Sequence, residues 1–159
     1  MKTILAFYPN VKGIGFACVD MPQNLIDAGI ISLKPFSHSK TVERLKKYIE
    51  FFRPKIVILR DESSVSKSST RIQALICSVR DFTKEQQIPH FEYSREQIKQ
   101  TFEQFEATRK YDIARKIIEW FPELADRTPK IRAKWMDEDY NMAIFDAISL
   151  AVTHEYLGE

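Results

Sequence analysis

The chain has 159 residues, 44% of them hydrophobic and 29% charged, with a formal net charge of +2. This is enough apolar material for one ordinary globular core, and one domain spanning 1–159 is the default expectation. No run reaches the roughly 18 consecutive apolar residues of a membrane helix, MKTILAF offers too little apolar length for a secretory leader, and the weak positive charge permits nucleic-acid binding without demanding it.

Residues 3–8, 14–20 and 28–33 are short β-prone runs. Pro9, Asn10 and Gly13 mark the first break, and Pro22, Gln23 and Asn24 the second. Three strands at this spacing predict an antiparallel meander. Ser39 offers a cap for a helix over 40–52, where Val42, Leu45, Ile49 and Phe52 recur at helical spacing. Pro54 ends it. The continuous apolar run 56–59 is the pattern of a strand covered on both faces, hence parallel to its neighbour.

Residues 61–70 hold five serines and one lysine and read as a loop. A second helix follows over 71–84, marked by Ile72, Leu75, Ile76, Val79 and Phe82. Residues 89–93 form a short strand, and Ser94 with Gln97 makes a capping box that opens a short helix. A helix over 108–120 turns Ile113, Ile117 and Trp120 inward, and 122–134 looks irregular. The last helix, 140–156, has Ile144, Ile148, Ala151, Val152 and Glu155 along one side. Strands first, then alternating helix and strand, give a mixed five-stranded α/β sheet flanked by helices. Cys18 and Cys77 lie in apolar stretches with no CxxC spacing and no nearby His, and read as buried free thiols of a reducing cytoplasm.

Several ordered segments carry a resemblance. ILAFYPNVKGIGFACVD forms an opening hairpin with a proline after Tyr8, DAGII a third strand, and PKIVILR a fourth. FEYSREQIKQT is similar to a strand followed by a V-K-Q-T helix, ATRKYDIARKII to a lysine-containing helix start, and FDAISLAVTHEYL to a D-A-L-A-I-A-x-x-H ending. Together they resemble the RuvC-type Holliday junction resolvases of the ribonuclease H-like superfamily, over nearly the full length. The resemblance implies a ribonuclease H-like fold with a three-strand antiparallel meander plus parallel strands.

In that family, strand cleavage uses carboxylates around two divalent cations, which activate water and stabilise charge on the phosphate. The family pattern places one Asp on the first strand, one Glu on the fourth and two Asp in the last helix. Carried onto this chain, these positions are Tyr8, Arg60, Ala143 and Asp146. Only Asp146 keeps its acid, and Arg60 brings a permanent cation. At an effective dielectric of about 20, a guanidinium ~4 Å from a divalent ion opposes it by roughly 8 kcal/mol before screening. The resemblance therefore implies a degenerate site with no metal expected. In it, an Arg60–Asp146 ion pair beside the Tyr8 hydroxyl takes over as counter-charge. Without the resemblance, Asp146 would read as a surface helix residue and Arg60 as a solvated strand end.

Displaced acids offer an alternative: an active, divergent magnesium- or manganese-dependent endodeoxyribonuclease using Asp146 with Asp61, Glu62 or Asp139. The commoner role of Asp139 is a helix cap. Lys99 and Lys110 match lysines near the family's site, and Arg95 and Arg109 add charge beside them. Lys67 and the hydroxyls of its loop suit phosphate contacts. Solvated helix faces account for most such cations. The aromatic wedge that the family uses to open a junction is absent from the 61–70 loop.

The helix after the loop pairs subunits in the family. Here Ala74 and Cys77 are available, but the family's small glycine positions are missing, so a homodimer and a monomer both stay open. His154 matches the family ending and reads as a packing or capping residue. The leading expectation is a cytoplasmic pseudonuclease that binds duplex or branched DNA. An active nuclease and a protein-binding scaffold are the alternatives.

Overall fold

The computed structural model describes residues 3–10, 12–21, 24–32, 34–61, 69–131 and 138–158. Strands β1 (Thr3–Pro9), β2 (Gly13–Asp20) and β3 (Asn24–Ser32) form the meander, followed by α1 (His38–Phe52), β4 (Ile56–Arg60), α2 (Thr70–Glu85) and β5 (His90–Tyr93). Helices α3 (Arg95–Glu103) and α4 (Lys110–Trp120), a 3-10 helix (Pro122–Arg127) and α5 (Met142–Leu157) complete the chain. The sheet order is β3-β2-β1-β4-β5. The β1–β2 and β2–β3 pairs are antiparallel, while β1–β4 and β4–β5 are parallel. This is the mixed five-stranded sheet expected from the sequence.

Side-chain alternation along the strands divides the interior into two cores. Leu5, Phe7, Val57 and Leu59 face Leu45, Ile49, Leu75 and Ile76 of α1 and α2. Ile4, Ala6, Tyr8, Ile56 and Ile58 face the other way, toward Ile98, Ile113, Ile117 and Ile148 of α3, α4 and α5. By the same alternation Arg60 falls on the second face, with Tyr8. Central strands β1 and β4 are buried on both faces, which is why 56–59 reads as an unbroken apolar run.

Several boundaries differ from the sequence reading. β3 begins at Asn24 rather than 28, because its polar first half still pairs with β2 along the sheet edge. α1 begins at His38, since Ser37, not Ser39, accepts from the Lys40 N–H. Pro122 opens a 3-10 turn within the stretch expected to be irregular, a position suited to a residue without an N–H. Cys77 is half-buried rather than buried. α5 is buried on all sides from Met142 to His154, with only Glu155 and its followers emerging. It is covered by β1 and β2 on one side and by α3 and α4 on the other, so a helix apolar around its whole circumference fits here. No helix among the described residues is long and apolar enough to cross a membrane.

Candidate nucleic-acid interface

The site forms where the ends of β1 and β4 meet the first turns of α3, α4 and α5. Tyr8 pairs with Gly15 across the hairpin. A Cβ on Gly15 would run into the Ala143 carbonyl, so the glycine lets the start of α5 lie directly on β2. The small Ala143, buried at that contact, completes the close approach. Tyr8 is itself buried, and the Arg60 guanidinium lies over its ring at 4.5 Å from the centroid. Arg60 also donates from Nη1 to the Pro9 carbonyl at 2.7 Å. Tyr8 and Arg60 thus close the ends of the two parallel strands, where the resemblance places acids.

One turn further along α5, the Asp146 side chain is only 3% exposed. Arg95 Nη1 donates to its Oδ1 at 3.1 Å, and Lys110 Nζ donates to its Oδ2 at 3.3 Å. Lys110 also reaches both oxygens of Glu138, at 3.2 and 3.0 Å. The sequence-based Arg60–Asp146 pair does not form. Arg60 is directed to the Pro9 carbonyl and the Tyr8 ring, while the carboxylate faces the two helix starts. Burial alone would lower the Lys110 pKa, but the Asp146 and Glu138 carboxylates outweigh it and hold the ammonium above its usual value.

Local sequence explains how these cations are placed. Ser94 accepts from the Gln97 N–H at 3.2 Å, and Gln97 Oε1 accepts from the Ser94 N–H at 2.8 Å, the expected capping box. That box makes Arg95 the first residue of α3, beside Asp146. Lys99 follows four residues later on the same helix face and is exposed. Arg109 caps α4 through Asp112, to which its Nε donates at 3.2 Å, and its side chain is 79% exposed. Lys110 then starts α4 pointing inward. Arg60, Arg95, Lys99, Arg109 and Lys110, with Tyr8 at the base, line one open groove of about 500 Å³.

The acids among the described residues do not fit a divalent metal pair. A magnesium or manganese site needs several oxygen donors, yet both oxygens of Asp146 are already held by cations. Glu138 is committed to Lys110. Asp139 accepts from the Lys130 and Asn141 N–H groups at 2.9 Å each, in keeping with a role at the entry to α5. Asp61, whose N–H bonds the Tyr93 carbonyl, is not among the partners gathered at Asp146. No group of three His, Cys, Asp or Glu suited to a metal occurs among the described residues. Glu62 and Lys67 lie outside the described residues. His154 is buried, with Nδ1 2.7 Å from the Tyr93 hydroxyl, the packing position expected of it.

Arg95, Lys99, Arg109 and Lys110 were expected as nucleic-acid contacts and Arg60 as a degenerate site residue, and all five line the groove. The Arg95–Asp146 link and the glycine that seats α5 were not foreseen. The capping box was a usable signal for the first, since it places Arg95 at a helix start in a matched segment.

No protein-family model and no curated protein sequence matches the chain. Solved structures do. RuvC of Thermus thermophilus in complex with a Holliday junction substrate is similar with a TM-score of 0.71 at 16% identity, covering 98% of this chain and 94% of that one. A second Thermus thermophilus RuvC structure gives 0.69 at 15% identity, over 97% and 93%. Fowlpox virus resolvase in complex with substrate Holliday junction DNA gives 0.58 at 13% identity, over 97% and 99%. The chain is therefore built on the RuvC-type, ribonuclease H-like fold of the Holliday junction resolvases.

Proposed function

We propose that this protein binds duplex or branched DNA through the cationic groove and does not cut it by a metal-dependent route. The observation that carries the reading is the engagement of Asp146 by Arg95 and Lys110. The single acid kept at the four family positions serves as internal counter-charge for groove cations, while Arg60, Lys99 and Arg109 face the same space. Five cations against the carboxylates of Asp146, Glu138 and Asp112 still leave a net positive surface, the chemistry that takes phosphate oxygens. Two of the similar structures are complexes with Holliday junction DNA, which supports the same ligand class here. The exposed Ala74 and half-buried Cys77 on α2 support pairing of two copies, which light scattering tests.

Fluorescence anisotropy with linear, forked and four-way DNA over a range of salt tests the binding. Affinity is expected to fall steeply with salt, and Lys99→Gln with Arg109→Gln to reduce the logarithmic slope by about 1 per cation removed. Salt-insensitive or absent binding, unchanged by these substitutions, would favour a scaffold that contacts another protein.

A further inference from the structure

Lys110 lines a second cavity as well as the groove, and that cavity is of different character. It measures about 270 Å³ and is walled by Ile30, Gly13 and Ala143, with Tyr140, Asn10 and Lys12 around it. This is below the usual size of a drug-like ligand site and suits one planar ring system. Tyr140 is 51% exposed and lines the cavity together with Gly13. Asn10 Oδ1 accepts from the Lys12 and Gly13 N–H groups at 3.0 Å each. The Asn10 oxygen is thus spent on the turn, and its NH2 is the end left to donate to a ligand carbonyl.

Glu138 and Asp139 line this cavity beside Lys12 and Lys110, so its charges balance and no excess of cations selects a second phosphate, whereas a neutral heteroaromatic ring with carbonyl groups is accommodated. From this we infer that the cavity is a nucleobase subsite: one unpaired base stacks on Tyr140 while its phosphate lies across Lys110 in the adjoining groove. The ligand class is nucleic acid carrying at least one unstacked nucleotide, as in a single strand or a splayed arm. Stacking on an exposed aromatic ring beside a cationic track is a general mode of single-strand binding. The inference rests on the phosphate-groove reading and adds the base to it.

The test is anisotropy with three probes of equal length: oligothymidylate, the same strand with abasic sites throughout its centre, and a blunt duplex. Tyr140→Ala is expected to weaken oligothymidylate binding about tenfold, to leave the abasic and duplex affinities unchanged, and to be rescued by Tyr140→Phe. Unchanged duplex binding also reports that the variant is folded. An equal loss on the abasic strand, or no loss on oligothymidylate, overturns the subsite while leaving the groove intact. Conversely, a Lys99→Gln/Arg109→Gln protein that binds all three probes as tightly as wild type overturns the groove reading. A wild-type protein that binds none of them overturns both.

Discussion

Arg95 and Lys110 hold the two oxygens of Asp146 from two different helices, at 3.1 and 3.3 Å. The carboxylate is buried, and the cations are 20% and 31% exposed. The acid therefore works inward, fixing the starts of α3 and α4 to α5, while the free sides of both cations face the groove. On the proposed reading, a DNA phosphate would have to compete with Asp146 for Arg95 and Lys110. In a metal-dependent nuclease the same position would help to bind the catalytic cations.

Asp146→Asn consequently has opposite consequences under the two mechanisms. Here it is expected to raise DNA affinity several-fold and steepen the salt slope by up to about 1 for each released cation. Losing the charged hydrogen bonds should cost about 2 kcal/mol of stability. Anisotropy and urea unfolding of the same preparation check both parts.

Gly15→Ala is expected to destabilise the fold by about 3 kcal/mol, because the added methyl meets the Ala143 carbonyl and α5 cannot move away without opening its contact with β1 and β2. A thermal midpoint unchanged within error would contradict the seating argument.

Tyr8→Asp should not confer cleavage. Arg60 still donates to the Pro9 carbonyl and Asp146 stays engaged by Arg95 and Lys110, so one restored acid gains no second free carboxylate. A nicking assay on supercoiled plasmid with manganese reads this directly. Tyr8→Phe, which keeps the ring under Arg60, should match wild type in stability and binding.

Acid unfolding has a separate origin on β5. Burial would raise the Glu92 pKa, but the hydrogen bonds from His90 and Arg80, with their charges, outweigh it and bring the carboxyl down from 4.5 to about 2. Arg80 Nε and His90 Nε2 each lie 2.7 Å from Glu92 Oε2. Because the folded pKa is depressed, the stabilisation is fully present above about 4.5 and is lost as pH falls toward 2. At most it amounts to about 3 kcal/mol. Urea titrations at pH 6 and pH 2.5 should show a smaller acid loss for Glu92→Gln than for wild type.

Much of the fold could be read from the sequence because its signals are local. The unbroken 56–59 run announces a central strand, Ser94 and Gln97 announce the start of α3, and Pro54 ends α1. The all-round burial of α5 follows from residues 142–154 carrying apolar side chains on every face, with Asp146, Ser149, Thr153 and His154 each hydrogen-bonded, though a one-sided stripe was expected. The partner of Asp146 was not legible in the same way. Arg60, Arg95 and Lys110 all fall in matched segments with similar reach, and only the packed directions of β4, α3 and α4 select between them. Arg60 instead donates to the Pro9 carbonyl, a backbone group with no sequence signature. Asn10 and Tyr140 gave no signal as a pair because they lie far apart in the chain and line one cavity only in the folded protein.

The most direct measurement of the central claim is incubation of the purified protein with a labelled four-way junction, with manganese and with chelator. Binding is followed on a native gel and strand breaks on a denaturing one. A shifted complex of equal affinity in both conditions, no breaks, and tighter binding by Asp146→Asn are expected. Manganese-dependent breaks that disappear in Asp146→Asn would contradict this expectation and identify an active nuclease.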